Sequence, residues 1–545
     1  MNNIHFHKYL LLISLVLSAC GGGGGSGDGD SSGAGAGGVV ENIQVSGQVT
    51  FDRVPFNASG QGLNYNAIQV LPAREVSIQA VDASGGLLTT GKTDESGNYS
   101  ITIPSNINSR IEVLAELSET DPALNWLTRV VDAVGSNNVY VLQGALINSG
   151  TQNQVRNLHA DSGWTGASYT NERASAPFAI LDSIYRIYEK LSAENVSLSM
   201  PELEIRWGEE NSAGSFYNGS FIEIAGGEDL DTDEFDEHII VHEWRHYYER
   251  EVSRGDTIGG SHGLTSRLEL RTAYSEGVGN AWSGFILDDP IYKDSLGAGQ
   301  STSFQFNMET SAIASEGFYI ENSIQEIVYD ILDTNNEGVD SVTIPLQTMI
   351  EAWQSNSYMN QESLTSIYSL REALEEVSPA TSVAVDTLYN AEDIQGNGNF
   401  GDGETNGAGL SLSLPIYQNL TIDAAPIEVC SDNAVGEFNR LENRQLIRFE
   451  VDIFGSGLHT VTVTRGPNNT NWNPNVPSDP DFVVYSRGDR RTLGLEGRSS
   501  ENNTETWTGI LLSGEFVIEL YDFNNIDNQA GTGGLTCFDI SVTEN

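Results

Sequence analysis

The chain has 545 residues, 39% hydrophobic and 19% charged, which is enough for roughly three or four folded domains. Acidic residues outnumber basic residues 76 to 26, giving a formal net charge of −50. A protein of this sign repels phosphate backbones and anionic surfaces, so a nucleic-acid-binding protein and a polybasic membrane binder are excluded. Its three cysteines are too few for a disulfide scaffold.

The amino terminus has the pattern of a secretion signal. Its apolar stretch, Tyr9–Leu17, is shorter than the ~20 residues that span a bilayer. The segment Leu17-Ser18-Ala19-Cys20 resembles the lipobox of bacterial lipoproteins. The resemblance implies a lipoprotein signal peptide over residues 1–19 and a lipid on Cys20, which attaches the chain to a membrane. Gly21 in place of aspartate favours an outer-membrane lipoprotein of the cell envelope, facing the periplasm or the surface. An ordinary signal peptide with an incidental cysteine is the alternative.

Residues 20–41 are rich in glycine and serine and predict a flexible tether. Residues 42–147 then alternate apolar and polar positions between turn residues, which predicts a small β-sandwich. Within it, TDESGNYSITIP (Thr93–Pro104) resembles the carboxypeptidase regulatory-like domain. That resemblance implies an accessory module with a spacer or stability role, or one that binds glycan or substrate.

Residues 150–392 change to a mixed pattern that predicts an α+β domain with a helical lower part. Apolar spacing predicts a helix over Ala176–Asn195. Strands are expected over Leu203–Trp207 and Ser220–Gly226, the second with an edge free to pair with an extended peptide. A further helix is expected from about Asp231, with its first three residues as cap, to Val252.

This last helix contains His242-Glu243-Trp244-Arg245-His246. Histidines four residues apart face one point beside a helix, and Glu243 lies near that point. Two imidazole ligands with an uncommitted carboxylate beside them are what a hydrolytic zinc site needs. Glu243 can then pass a proton from water to a leaving amine. His238, one turn earlier, is expected to have a packing role.

A catalytic zinc needs a third protein ligand. The pattern of HExxH, a loop and a second helix carrying Ser275-Glu276-Gly277 resembles the gluzincin metallopeptidases. The resemblance implies that His242, His246 and Glu276 bind zinc and that Glu243 is the general base. The same stretch looks like uncharacterised zincin-like lipoproteins of Gram-negative bacteria. That resemblance implies membership of this group but does not identify a substrate.

Three neighbouring residues add alternatives around Glu276. Glu269 and His262 are rival third ligands, and a salt bridge from Glu276 to Arg245 or Arg271 is the structural alternative. His262 and Tyr274 are also predicted catalytic donors, since each has a hydrogen to offer the oxyanion that forms when water attacks a carbonyl.

Residues 393–427 are expected to be a linker rich in aspartate, asparagine and glycine. Side-chain oxygens at alternate positions with intervening glycines suit calcium, although the spacing is not that of an EF-hand. The candidate calcium ligands are Asp393, Asn397, Asn399, Asp402 and Glu404. A solvated linker without an ion is the alternative.

Residues 428–545 return to strand-like alternation. DPDFVVYSRG (479–488) and GEFVIELYDFNN (514–525) resemble the pre-peptidase carboxyl-terminal β-sandwich of secreted bacterial proteases. Cys430 and Cys537 lie near the two ends of this unit, and a disulfide between them is expected in an oxidising compartment. Two free buried thiols are the alternative.

Together these patterns predict a multidomain α+β protein with β-sandwiches flanking a central zincin-like domain. The expected function is zinc-dependent hydrolysis of a peptide or protein substrate by a membrane-tethered endopeptidase or aminopeptidase. Zinc is the expected cofactor, with calcium as a second ion. The alternative is a non-catalytic binding or adhesion lipoprotein on a zincin scaffold.

Overall fold

The computed structural model describes residues 41–133, 135, 137–310, 315–336, 338–465, 478–491, 497–498, 504–527 and 533–545. The chain divides into two units, Met1–Glu41 and Asn42–Asn545, and every helix and strand below belongs to the second. The predicted signal peptide, the lipidation of Cys20 and the tether up to residue 40 lie outside the described residues.

The protein is a mixed α+β structure rich in sheets. The strands before the first helix are β1 (Asn42–Arg53), β2 (Gln69–Pro72), β3 (Val76–Asp82), β4 (Leu87–Lys92), β5 (Asn98–Pro104), β6 (Asn108–Thr120), β7 (Leu124–Asp132), β8 (Val141–Gln143), β9 (Ile147–Asn148), β10 (Gln154–Val155) and β11 (Leu158–Ala160). The middle strands are β12 (Leu198–Trp207), β13 (Phe216–Tyr217), β14 (Ile222–Ile224), β15 (Gly226–Gly227), β16 (Asp231–Thr232), β17 (Ile291–Leu296) and β18 (Thr302–Asn307).

The remaining strands and the helices follow the same chain-order numbering. The carboxyl-terminal strands are β19 (Tyr417–Asn419), β20 (Ile427–Ser431), β21 (Arg444–Val451), β22 (Gly457–Arg465), β23 (Pro480–Ser486), β24 (Asp489–Arg490), β25 (Thr504–Leu511), β26 (Gly514–Asp522) and β27 (Thr536–Glu544). The helices are α1 (Ala176–Ala193), α2 (Glu237–Glu251), α3 (Leu270–Leu287), α4 (Glu321–Leu332), α5 (Leu346–Trp353), α6 (Asn356–Met359), α7 (Ile367–Val377), α8 (Ser382–Ala391) and α9 (Phe523–Ile526). Within the described ranges, no helix is long and apolar enough to cross a bilayer.

The amino-terminal strands form two sheets, one centred on β1 and one in the order β13-β14-β12-β7-β6-β3-β4. The second sheet joins the amino-terminal strands to the middle of the chain, because β7 pairs parallel with β12, with Val130 opposite Ile205. One cluster of buried apolar side chains also runs through both regions. The predicted boundary between residues 147 and 150 therefore does not coincide with a break in the sheet or the core. Alternation of apolar and polar residues predicts strands but does not indicate which strands pair with one another.

The edge of β14 is not free, contrary to the expectation for Ser220–Gly226. β13 pairs antiparallel with it, with Phe216 opposite Glu223 and Tyr217 opposite Ile222. The expectation was wrong because the two residues of β13 form too short an alternation to stand out in the sequence.

The helix with the two histidines begins later than predicted. Asp231 and Thr232 pair as β16 with β15 and β17, and α2 starts only at Glu237 with Asp236 as its N-cap residue. The Asp236 side chain makes no cap bond, since both of its oxygens accept hydrogen bonds from Ser295. Acidic residues suit both a helix start and a strand turn, so the sequence alone favoured the wrong boundary.

Helix α3 is the centre of the middle region, and all of its residues are buried. A Cβ on Gly279 would lie 2.7–3.0 Å from the imidazole ring of His242 on α2. A Cβ on Gly277 would lie 2.5 Å from the Ile324 Cβ on α4. Glycine at these two positions therefore lets α3 approach the helices on both sides at close range.

The carboxyl-terminal strands form a β-sandwich of two sheets, ordered β19-β21-β26-β23-β24 and β20-β27-β22-β25. A second apolar cluster fills the space between them, with Phe449, Val461, Ile518 and Ile540 among its members. Cys430 and Cys537 lie directly opposite each other on β20 and β27 and form a disulfide.

A buried ionic network links this sandwich to α3. Glu519 on β26 accepts two hydrogen bonds from Arg271 at 3.1 and 3.2 Å, one from Arg444 and one from the Tyr485 hydroxyl. Arg271 also donates to Glu269, the N-cap residue of α3. The sandwich is thus bonded to the first turn of the helix that carries Glu276.

Candidate metal centre

Three side chains from two helices converge on one point. His242 Nε2 and His246 Nε2 lie 3.0 Å apart, and Glu276 Oε2 lies 3.2 Å from each. Ligand atoms around a tetrahedral ion with bonds of about 2.0–2.2 Å are separated by about 3.3–3.5 Å. The three atoms are therefore close to the spacing that a small divalent ion imposes on its ligands. Among the described residues, four groups of three acidic, histidine or cysteine side chains have ligand atoms within 4.8 Å of one another, and this is one of them.

The orientation of His242 is set by an amide on α3. Its Nδ1 lies 2.9 Å from Asn280 Oδ1, and the Asn280 amide nitrogen donates to Glu321 Oε1 at 2.8 Å and Gln325 Oε1 at 3.1 Å. Because the amide donors face a carboxylate, its oxygen must face the histidine, and Nδ1 must carry the proton. The lone pair of His242 Nε2 is then directed at the convergence point.

A hydroxyl on α3 fixes the tautomer and orientation of His246 in the same way. Ser275 donates its hydroxyl hydrogen to Glu249 Oε2 at 2.8 Å and lies 3.1 Å from His246 Nδ1. Its oxygen can therefore only accept from Nδ1, which leaves the lone pair on Nε2. With both Nδ1 atoms protonated, the two Nε2 atoms and the carboxylate oxygen face one point, where they can share a proton or bind a metal ion.

The pKa shifts of the ligand side chains also indicate that the centre attracts a positive charge. Burial alone would lower the pKa of His246, but the charge of Glu276 and hydrogen bonds to Glu249 and Glu276 raise it well above its usual value. Burial would raise the pKa of Glu276, but His246 and His262 hold it well below the usual range. The centre therefore binds a proton strongly when no metal is present, and the same negative charge attracts a metal ion.

Glu243 lies beside the centre and is not committed to an ion pair. It is buried, and its Oε2 accepts the backbone N–H of Tyr217 on β13 at 2.7 Å. Among the described residues it makes no salt bridge. Of the three ligand side chains, His246 is the most exposed, with 14% of its surface accessible.

His262 is brought to the rim of the centre by the loop between α2 and α3. Its Nε2 lies 3.3 Å from Glu276 Oε2 and its Nδ1 lies 3.0 Å from Glu321 Oε2. Burial lowers the pKa of this histidine, but the two carboxylates raise it to about 9. His262 is therefore a charged donor next to the centre at neutral pH.

The other predicted site residues have different positions. The Tyr274 hydroxyl, predicted as an oxyanion donor, is buried and bonded to Trp353 Nε1 and the Tyr358 hydroxyl at 3.2 and 3.0 Å, which corrects that prediction. Glu269 caps α3 and pairs with Arg271, which removes it as a rival ligand.

Two further expectations concern basic groups near the motif. Arg245 lies 3.8 Å from Glu249 and over the ring of Trp353, and so does not pair with Glu276. His238 is buried, with its ring against Tyr292 and its Nε2 3.3 Å from the Asp289 carbonyl. Burial lowers the pKa of His238 to about 4, as expected for a packed imidazole.

Two carboxylates of the predicted calcium segment are engaged by protein groups. Glu404 accepts hydrogen bonds from the Tyr368 hydroxyl and from four backbone N–H groups. Asp402 pairs with Arg448. Among the described acidic, histidine and cysteine residues, no group that could hold an ion includes Asp393, Asp402 or Glu404. The backbones of Asn397 and Asp402 pair as an isolated bridge, and calcium binding by Asn397 and Asn399 stays a prediction.

Sequence reasoning missed the two residues that orient the histidines, Asn280 and Ser275. The sequence did contain a signal for Asn280. An amide in a buried helix needs hydrogen-bond partners, and one placed a turn after the ligand glutamate is in position to bond to a ligand histidine.

No family model matches this chain, and no curated protein matches it. Solved structures similar to part of it include the pre-peptidase C-terminal domain of a collagenase from Bacillus anthracis, at 10% identity and a TM-score of 0.16, covering 23% of this chain and 93% of that one. A periplasmic inhibitor of g-type lysozyme from Aeromonas hydrophila, PliG, matches at 15% identity and a TM-score of 0.13, covering 23% and 98%. The major plantain pollen allergen Pla l 1 matches at 12% identity and a TM-score of 0.12, covering 22% and 93%. TM-scores this low carry no weight for the fold or activity of this chain.

Proposed function

We propose that this chain is a zinc-dependent peptidase that hydrolyses peptide bonds and is tethered to a membrane through a lipid on Cys20. The main support is the convergence of His242 Nε2, His246 Nε2 and Glu276 Oε2 within 3.0–3.2 Å of one another. Both imidazoles are held with their lone pairs toward that point. The donor set of two nitrogens and one carboxylate oxygen is the one that hydrolytic zinc sites use, with a fourth position left for water.

Bound there, zinc would supply Lewis-acid polarisation of the substrate carbonyl and a lowered pKa for a water molecule. Glu243 takes the proton of the attacking water and returns it to the leaving amine. Its backbone bond from Tyr217 holds one oxygen in place, which fixes the direction of the carboxylate. His262 Nδ1 is held by Glu321 and its Nε2 by Glu276, so His262 donates a hydrogen bond to the oxyanion through Nε2 only after that atom leaves Glu276.

The experiment that tests this function compares wild type with Glu243→Gln on casein and on fluorogenic peptides. Glu243→Gln keeps the side-chain shape and the zinc ligands, so zinc content should be unchanged while turnover falls by at least about 10²-fold, the low end for a general base. Equal turnover in the two proteins would contradict the proposal and favour a binding lipoprotein with a contaminating protease. His238→Gln, which changes a buried histidine outside the centre, is the matched control.

A further inference from the structure

A second group of side chains with unsatisfied charge lies next to the start of α2. One carboxylate oxygen from each of Asp231, Asp233 and Asp294 lies within 4.8 Å of the others. Asp231 is on β16, Asp233 is in the turn that leads into α2, and Asp294 is on the neighbouring strand β17. These three residues are called the aspartate cluster below.

One carboxylate oxygen of each aspartate in the cluster is buried without a hydrogen-bond partner. Asp233 is only 2% exposed, and its Oδ1 has no hydrogen-bond partner, although its Oδ2 accepts from the Ser215 hydroxyl. Asp231 Oδ1 and Asp294 Oδ1 are also buried without a donor. Among the described residues, none of the three forms an ion pair with lysine, arginine or histidine. Asp233 is buried and Asp231 and Asp294 are half-buried, so a carboxylate oxygen of each lacks a donor where water has little access. Leaving such oxygens unpaired is unfavourable, which favours a counter-charge between them.

The acidic residues immediately beside the cluster show that the fold can supply partners. Glu234 is paired with Arg173 and Thr232, and Asp236 accepts from the backbone N–H and the hydroxyl of Ser295. The missing partners are therefore specific to the three aspartates of the cluster. Shared protons are the competing explanation, because burial and Asp231 raise the pKa of Asp294 to about 7.

We propose that the aspartate cluster is a calcium site that is separate from the zinc centre. An all-oxygen set of three carboxylates completed by water suits a hard cation, and Ca²⁺ bonds of about 2.3–2.6 Å can span oxygens up to about 5 Å apart. The ion joins β16 and β17 to the turn before α2. It thereby fixes the start of the helix that carries both histidines.

The binding test uses the full chain and Tb³⁺, a luminescent ion that takes calcium sites, in excess Mg²⁺ to suppress weak surface binding. Wild type should bind Tb³⁺ with emission excited through protein aromatic groups, and Ca²⁺ should displace it. Asp233→Asn and Asp294→Asn should each weaken Tb³⁺ binding at least about tenfold, because one of three charged ligands is lost. Asp402→Asn, in the segment where the sequence predicted calcium, should behave as wild type. Equal Tb³⁺ affinity in wild type, Asp233→Asn and Asp294→Asn would overturn the proposal.

The stability test measures the Tm with and without CaCl₂. Calcium should raise the Tm of wild type by several degrees and leave that of Asp233→Asn unchanged. Without calcium, Asp233→Asn should be at least as stable as wild type, since a repelling charge is gone. If calcium leaves the Tm of wild type unchanged and lower pH alone raises it, shared protons neutralise the cluster and the proposal is wrong.

Zinc content measured on the same samples separates this inference from the proposed function. One zinc per chain with no response to calcium or Tb³⁺ refutes the calcium site alone. A response to calcium that Asp233→Asn abolishes, in a chain that holds no zinc, refutes the peptidase alone.

Discussion

At the scale of single residues, the metal centre depends on two side chains that do not touch the ion position. Asn280 and Ser275 flank Glu276 on α3, and each accepts a hydrogen bond from the Nδ1 of one histidine. Each is held in turn by a carboxylate, Glu321 or Glu249. A partner of this kind fixes both the tautomer and the direction of an imidazole, so α3 positions all three ligands.

Replacing these residues should weaken zinc binding without removing a ligand. For Asn280→Ala we expect zinc affinity to fall by about 10–100-fold, the usual cost of losing an orienting partner, and for Ser275→Ala the lower end of that range. Competition against a chromophoric chelator measures the zinc affinity of each variant. Ser283→Ala is the control, because that buried hydroxyl donates to the Asn280 carbonyl in the same helix and does not contact either histidine among the described hydrogen bonds. Unchanged affinity in both variants would show that the imidazoles are oriented by something else.

At the scale of elements, the sequence predicted the helices of the centre better than their boundaries and partners. The spacing of His242 and His246 identifies their helix, because four residues make about one turn. The start of α2 was misplaced because Asp231 and Asp233 have the chemistry of caps but lie in a strand and a turn. Glu276 followed from a family resemblance, whereas the burial of the Tyr274 hydroxyl depends on Trp353 and Tyr358, which are distant in sequence.

The contact between α2 and α3 can be tested at Gly279. In Gly279→Ala the new Cβ would lie 2.7–3.0 Å from the His242 ring, so the ring or the helix must shift. We expect a stability loss of about 1–3 kcal/mol, typical of overpacking, together with weaker zinc binding. Denaturant titration and chelator competition measure the two effects.

Gly277→Ala is the matched control, because its Cβ would meet Ile324 on α4 and not an imidazole. It should lose comparable stability while keeping more of its zinc affinity. Equal zinc affinities in Gly277→Ala, Gly279→Ala and wild type would mean that the helix spacing does not control the position of His242.

At the scale of the whole molecule, the carboxyl-terminal sandwich is part of the support of the centre. Burial alone would raise the pKa of Glu519, but Arg271 and Arg444 hold it well below its usual range. All three groups are nearly inaccessible to water. The network therefore fixes the sandwich to the first turn of α3, and a chain cut before β20 would leave Arg271 without Glu519.

Removing that carboxylate should destabilise the whole chain. Arg271 keeps Glu269 as a partner, so Glu519→Gln leaves one buried positive charge of the Arg271–Arg444 pair uncompensated. We expect a loss of about 3–5 kcal/mol in the free energy of unfolding at neutral pH. Because the folded-state pKa is depressed, this stabilisation is present above the unfolded pKa of about 4.3 and is lost as the pH falls below it. The fall in stability between about pH 5 and 3 should therefore be shallower in Glu519→Gln than in wild type. Identical stabilities and pH slopes would contradict the role of the network.

The disulfide within the sandwich makes a separate contribution. Cys430 and Cys537 are 107 positions apart in the chain, and the chain-entropy model assigns a loop of about 100 residues roughly 4–5 kcal/mol. The double variant Cys430→Ala, Cys537→Ala should be destabilised by up to this amount in denaturant titration, while zinc content stays that of wild type. Stability equal to wild type would mean that the bond adds nothing in the folded protein.

The most direct measurement is the metal content of the purified chain by mass spectrometry, together with the effect of a chelator on peptide hydrolysis. We predict one zinc per chain in wild type and in Glu243→Gln, and none in His246→Ala. In wild type, chelation should remove the peptidase activity and added zinc should restore it. A wild-type protein that contains no zinc, takes up none when it is supplied and is indifferent to chelators would contradict the account.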